Sequence, residues 1–174
     1  MSYKNVEIKA RCPDPAAIRK VLRAHQADFK GVDTQMDTYF RVPHGRLKHR
    51  RGNLENALIY YYRPDRPGPK LSEVTLCPLS PGNPLCDVLA QALEVAVTVT
   101  KRREIYFIDN IKFHLDQVDR LGSFVEIEAI DRTGDLTQQI LEHQCQRFLD
   151  LFEIAPSDLI EGSYSDMLLD NNSP

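Results

Sequence analysis

Asn5-Val6-Glu7-Ile8-Lys9-Ala10-Arg11 alternates polar and apolar residues with a period of two. That is the spacing of an extended strand, whose successive side chains point to opposite faces. Asn5, Glu7, Lys9 and Arg11 share one face; Val6, Ile8 and Ala10 share the other. The same charge-on-one-face pattern returns in Arg46-Leu47-Lys48-His49-Arg50 and in Phe124-Val125-Glu126-Ile127-Glu128. Ordered rows of opposite charge on several strands predict that the rows meet inside the fold. They would form a polar interior able to hold a polyanion and its metal ions.

The segments around these rows read as further strands with helices inserted. Pro13-Asp14-Pro15 offers a helix cap with proline in the first turn, and Ile18, Val21, Leu22 and His25 follow at helical spacing. Thr34 to Val42 reads as a strand, and Pro43-His44-Gly45 turns it into Arg46 to Arg51. Ala57 to Arg63 is the next strand, followed by a loop over Pro64 to Pro69. Leu71 to Leu76 alternates again, and Pro84 to Val95 is a helix candidate. Val97 to Lys101, Glu104 to Ile108 and Ile111 to Val118 read as strands, with Asp109-Asn110 a tight turn. Arg120-Leu121-Gly122 leads into Ser123 to Ile130, and Leu136 to Phe152 is the longest helix. About eight short strands in hairpins, with segregated helices, predict an α+β fold built on an antiparallel barrel.

A chain of 174 residues has room for one domain with a real core, so residues 1–174 are expected to form a single domain with a polar tail from about Asp170. The net charge of −3 argues against a bulk nucleic-acid binder, so a polyanion site must be local. No signal-peptide pattern and no membrane-spanning run stands out. Cys12, Cys77, Cys86 and Cys145 are widely spaced without a C-x-x-C pair, which suits free thiols in a reducing cytoplasm. His25, His44, His49 and His143 show no zinc-ligand spacing. His114, two residues before Asp116, is a candidate supporting residue. Tyr60, Tyr61 and Tyr62 read as strand packing, with base stacking as the functional alternative.

The signs of charge are sorted by strand. Arg46 to Arg51 and Lys101 to Arg103 are basic; Glu126 and Glu128 are acidic. Arg63 lies in phase with Tyr61 and Ile59, and His114 with Asp116. Helices need an apolar sheet face to pack on, and the Val/Ile/Leu faces supply it. The charged faces are thereby left to the concave side of a curled sheet.

Taken in order, these motifs resemble the CYTH superfamily, the triphosphate tunnel metalloenzymes. Asn5-Val6-Glu7-Ile8-Lys9 is similar to the family's E-x-E-x-K signature. Asp37-Thr38-Tyr39-Phe40 follows, and Leu47-Lys48-His49-Arg50 stands at the L-R-x-R position. Arg63-Pro64 falls at a K-x-P-like element, and Lys101-Arg102-Arg103 at the K-x-R pair. Asp116-Gln117-Val118 with Leu121-Gly122, Phe124-Val125-Glu126-Ile127-Glu128, and Ser163-Tyr164-Ser165-Asp166-Met167-Leu168 complete the likeness. Asn5-Val6-Glu7-Ile8-Lys9-Ala10-Arg11, and Tyr62-Arg63-Pro64-Asp65 followed by Gly68-Pro69-Lys70, resemble the class IV adenylyl cyclase branch.

The resemblance implies an eight-stranded tunnel with flanking helices and a Mg²⁺- or Mn²⁺-dependent enzyme acting on a small-molecule triphosphate such as ATP. It implies class IV cyclase chemistry, ATP to cyclic AMP and pyrophosphate. The alternatives are an inorganic or organic triphosphatase (thiamine triphosphate is one such substrate) and a non-catalytic triphosphate-binding module. Lys9, Lys48, Arg50, Arg63, Lys101 and Arg103 are expected to hold the phosphates through charge-assisted contacts. Glu7, Glu126, Glu128 and Asp116 are expected as metal ligands, since hard cations take carboxylate oxygen. Catalytic roles fall to Glu7, Lys9, Asp116 and Glu126. The expected setting is the cytoplasm without nucleic-acid or membrane partners, and a homodimer is compatible with the chain. The pattern departs at Asn5, where an uncharged amide lowers metal affinity or removes one of two metal sites.

Overall fold

A computed structural model describes residues 1–66 and 68–171. The strands are β1 (Ser2–Arg11), β2 (Asp28–Phe40), β3 (Arg46–Arg51), β4 (Ala57–Tyr62), β5 (Lys70–Pro78), β6 (Val95–Ile108), β7 (Ile111–Val118) and β8 (Gly122–Asp131). They close into one antiparallel barrel in the order β1-β5-β4-β3-β2-β6-β7-β8. Among the described residues four α-helices accompany it: α1 (Pro15–Ala24), α2 (Leu85–Ala92), α3 (Gln138–Leu151) and α4 (Tyr164–Asn171). The expected eight-stranded barrel with flanking helices is the observed fold.

The period-two pattern of β1 sorts its residues as expected. Val6, Ile8 and Ala10 face outward into a core with Ile18 and Leu22 of α1 and Leu141, Cys145 and Phe148 of α3. Phe113 of β7 lies at the centre of that core, fully buried. Its ring meets Phe148 edge-on at 4.7 Å and Phe152 at 5.8 Å between centroids. Asp14 caps α1 by accepting from the Ala16 and Ala17 amides, and Thr137 caps α3 at Ile140. Each cap satisfies N–H groups that the first turn leaves without partners. Cys12, Cys77, Cys86 and Cys145 are all free thiols.

A second apolar cluster lies within the barrel. Tyr39, Ile59, Tyr61, Val74, Val99, Val118 and Phe124 pack with Tyr164 and Leu168 of α4, which brings the C-terminal segment against one end of the interior. Lys70, fully buried, donates to the Ile160 carbonyl at 2.7 Å and ties that segment to β5. Ile160 in turn donates to the Lys9 carbonyl at 2.9 Å.

Several boundaries differ from the sequence reading. Val97 to Lys101 and Glu104 to Ile108 are parts of one strand, β6. The run Lys101-Arg102-Arg103 imitates a break, yet Lys101 and Arg103 turn inward to carboxylates while Arg102 faces out. β2 begins at Asp28 rather than Thr34, because Phe29 packs on Tyr106 at 4.8 Å. A bulge at Gly31 (φ 125) interrupts its alternation, and positive φ favours glycine. α2 stops at Ala92, short of the expected Val95. α4 had no helical forecast and continues through Asp170 to Asn171, where a polar tail was expected; residues 172–174 lie outside the described ones, as does Pro67 of the Pro64–Pro69 loop.

Phe113 gives the packing a direct test. Phe113→Ala is expected to lower unfolding free energy by about 3–5 kcal/mol, the range for a buried aromatic cut to alanine. Urea denaturation followed by circular dichroism measures it. A loss below about 1 kcal/mol would mean that the helices do not depend on this contact.

Candidate active site: the charged barrel interior

Closing the sheet turns the charged faces toward one another around a cavity of about 310 Å³. Asn5, Glu7 and Lys9 reach it from β1, Asp37 and Tyr39 from β2, Lys48 and Arg50 from β3. Arg63, just past β4, joins them, with Lys101 and Arg103 from β6, Lys112 and His114 from β7, and Glu126 and Glu128 from β8. All six predicted phosphate-binding cations therefore line one cavity. Ala57, Ile59, Tyr61, Val74 and Leu76 give the same cavity an apolar wall on β4 and β5.

The cations are not free. Asp37, 1% exposed, accepts from Arg50 Nε at 2.8 Å and Nη2 at 2.9 Å. It also accepts from Lys101 Nζ at 2.7 Å and Lys48 Nζ at 3.2 Å. Burial pushes its carboxyl up, but Arg50, Lys101 and Lys48 outweigh burial and hold it well below the usual range. Burial among these cations also lowers the Lys101 ammonium to about 7, despite Asp37.

A second network sits across the cavity. Arg103 forks onto Asp116 at 2.7 and 2.6 Å and reaches Glu126 at 3.0 Å. Lys9 donates to Glu126 at 2.6 Å and lies 4.4 Å from the centroid of the Tyr164 ring. The Tyr164 hydroxyl donates to Asp116 at 2.8 Å. Arg63 lies 3.1 Å from Glu7. A third set is built by the β3–β4 loop. Glu55 accepts from Arg50 at 2.9 Å and Lys112 at 2.6 Å, and Asp33 holds that loop by accepting from the Leu54 and Glu55 amides. A Cβ on Gly52 would stand 2.5 Å from an Asp33 oxygen, so only glycine fits beneath this carboxylate.

His114, Glu126 and Glu128 bring donor atoms within 4.8 Å of one another. His114 Nδ1 lies 3.1 Å from Glu126 and 3.5 Å from Glu128. Burial, with Arg103 and Lys112 nearby, lowers the imidazole to about 3, so it is neutral near pH 7. A neutral ring bonded to a carboxylate through Nδ1 carries its proton there. Nε2 then keeps a lone pair, and it is buried without a partner. Glu128 is raised to about 7 by burial and by the charges of Glu126 and Glu7. Two carboxylates facing one imidazole nitrogen are a donor set that fits a divalent cation, with the ring proton moved from Nδ1 to the unpartnered Nε2. Glu7 and Asp116, also expected as metal ligands, stand outside this group, with Arg63 and with Arg103 and Tyr164 respectively.

Sequence reasoning missed the balancing partners. Asp37 and Tyr164 stand within matched motifs without a role; Lys112 shares its phase with His114 and Asp116, a signal that period two could have supplied. Glu55 lies in the irregular run Gly52-Asn53-Leu54-Glu55-Asn56, which carries no periodicity to place it.

The family model for the CYTH domain matches residues 3–159. The chain belongs to the CYTH family. CYTH proteins act on triphosphate substrates such as ATP and generally use divalent metals. The PH1012 protein of Pyrococcus horikoshii OT3 shares the fold, with a TM-score of 0.77 at 21% identity over 93% of this chain and 98% of that one. A protein of Vibrio parahaemolyticus proposed as an adenylate cyclase gives 0.73 at 17% identity, over 94% and 97%. A proposed adenylyl cyclase from Hippeastrum with a dominant triphosphatase activity gives 0.57 at 14% identity, over 98% and 97%. At these identities the likeness is one of fold. No curated protein matches the chain. Among the described residues, no helix is long and apolar enough to cross a membrane.

Two tests follow from the electrostatics of this CYTH interior. Asp37→Asn leaves Arg50, Lys101 and Lys48 facing one another and is expected to cost about 3–5 kcal/mol, as removal of one partner from a buried ion pair does. Added inorganic triphosphate should recover part of the lost melting temperature; a variant as stable as the parent would refute this role. The second test concerns Glu128, whose native carboxyl keeps its proton to about pH 7 while the unfolded one releases it near 4.5. The native state then binds more protons, so metal-free stability falls as pH rises between those values and levels above them. Glu128→Gln should flatten that fall in chelator-treated protein; an unchanged pH profile would place the carboxyl in an ordinary setting.

Proposed function

We propose that this chain is a divalent-metal-dependent enzyme that takes a nucleoside triphosphate into the barrel, with ATP cyclisation to cyclic AMP and pyrophosphate as its reaction. The observation that carries the proposal is the two-sided cavity: converging cations and carboxylates face an apolar wall from β4 and β5. A triphosphate needs the first, and a nucleoside has use for the second. The cyclase-like runs Asn5–Arg11 and Tyr62–Lys70 favour the same chemistry.

In this reading Lys9, Lys48, Arg50, Lys101 and Arg103 hold phosphate oxygens, with Arg63 at the edge of that set. Their carboxylate partners keep the interior close to neutral, and a phosphate chain joins Asp37 and Glu126 as a further acceptor for the cations, so that no buried charge loses its partner. Arg50 and Arg103 are positioned as forks, and forks suit the paired oxygens of a phosphoryl group. His114, Glu126 and Glu128 hold the cation, with Glu7 and Asp116 fixing the cations around it. When bound, the metal ion neutralises charge on the phosphate chain and helps to orient it. Positioning and electrostatics supply most of the rate, because little covalent chemistry falls to the protein.

Triphosphate hydrolysis is the second reading, favoured by the shared fold with the Hippeastrum protein. Purified protein incubated with ATP, inorganic triphosphate or thiamine triphosphate, each with Mg²⁺ or Mn²⁺, separates the two. Cyclic AMP and pyrophosphate are expected from ATP, and chelator or Glu126→Gln should reduce the rate by a hundredfold or more. ADP and phosphate as the products would replace cyclisation with hydrolysis. Full activity in chelator would overturn the metal requirement.

A further inference from the structure

Asn5, Ser72 and Arg63 form a row across three adjacent strands at the edge of the charged region. Asn5 and Ser72 are cross-strand partners on β1 and β5. Arg63 follows Tyr62, whose partner on β5 is Glu73, and so comes beside Ser72. All three line the cavity and are at most 5% exposed. Each keeps a buried polar atom without a hydrogen-bond partner: Asn5 Oδ1, Ser72 Oγ, and Arg63 Nε and Nη1. Arg63 Nη1 is within ion-pair distance of Glu7 but makes no hydrogen bond to it. Orphaned groups of this kind are costly and uncommon in folded interiors. Their convergence on one cavity wall marks a place that a ligand completes.

The types of atom define that ligand. Asn5 Oδ1 only accepts, Arg63 only donates, and Ser72 Oγ does both. A phosphate oxygen cannot satisfy Asn5 Oδ1, since it has no proton to give. A divalent cation cannot satisfy Arg63. A hydroxyl satisfies both, giving its proton to the amide oxygen while accepting from the guanidinium or the serine. Val74, two residues along β5 from Ser72, continues the row into the apolar wall through its partner Tyr61. We infer that the Asn5–Ser72–Arg63 row binds the sugar hydroxyls of a nucleoside triphosphate and sets the enzyme's preference for a nucleotide over a bare phosphate chain. The inference rests on the triphosphate reading above.

Calorimetric titration of the full chain in EDTA, which prevents metal-dependent turnover, compares ATP, 2′,3′-dideoxy-ATP and inorganic triphosphate. Wild-type protein is expected to bind ATP at least about tenfold more tightly than the dideoxy analogue, because a site built to bond a hydroxyl rejects the ligand lacking it. Ser72→Ala and Asn5→Ala should reduce that preference to threefold or less while inorganic triphosphate binds as before. Equal wild-type affinity for the two nucleotides overturns the inference and assigns the row to water, and this comparison needs no variant to fold. Retention of the preference in both variants overturns it as well. If inorganic triphosphate binds while the nucleotides fail to discriminate, the triphosphate reading survives alone; if none of the three binds, both readings fall together.

Discussion

Enclosing many charged side chains within a closed sheet imposes a single constraint: each must meet an opposite charge or a hydrogen-bonding partner in the interior. Ionised groups removed from water without a partner are too costly for a fold whose net stability is a few kcal/mol. The barrel meets this demand by cross-strand pairing. Asp37 serves Arg50, Lys101 and Lys48, Asp116 and Glu126 serve Arg103 and Lys9, and Glu55 serves Arg50 and Lys112. The folded state and the candidate site thus rest on the same contacts.

That arrangement explains how a cavity lined by many Lys and Arg side chains can exist in a chain of net charge −3. Each cation is balanced locally, because the carboxylates stand between the cations. The balance is uneven, however. Lys9 and Arg103 serve Glu126, but burial and the neighbouring Glu126 charge raise Glu128 to about 7. Burial, with Arg50, Arg103 and Lys48 around it, lowers the Lys101 ammonium to about 7. Perturbed groups of both signs within one cavity are the pattern expected of a site with chemistry to perform. The uneven places also coincide with what the proposed substrate and its metal ion would bring.

The two apolar clusters divide the remaining work. The outer one, centred on Phe113, fastens α1 and α3 to β1, β7 and β8 and fixes the inward faces of those strands. The inner one, with Tyr164 and Leu168 of α4, fills part of the barrel and leaves the charged part hollow. Lys70 and Lys9 connect the C-terminal segment to β5 and β1 through the Ile160 backbone, so the position of Tyr164 over Lys9 depends on both ends of the chain.

How much of this was legible follows from the range of each signal. Period two is local, and it was enough to give β1, β3, β7 and β8 their inward faces, and with them Lys9, Lys48, Arg50 and the acidic strand, while the two-residue spacing of Lys101 and Arg103 and the phase of Arg63 with Tyr61 supplied the other three cations. It failed where the local signal was broken: the Gly31 bulge hid the start of β2, and the basic run Lys101–Arg103 looked like an interruption of β6. Motif order along the chain was enough to reach the CYTH family. Pairing across the cavity is a different kind of information. Asp37 and Lys101 are 64 residues apart, and Lys9 and Glu126 are 117 apart. Their meeting depends on strand order, register and closure, to which neither neighbourhood contributes a signal. The sequence by itself determined which side chains turn inward, because alternation is a property of a single strand. Only the tertiary structure decided which charges neutralise each other and which polar atoms are left for a ligand, because those depend on distances between strands that the barrel alone sets.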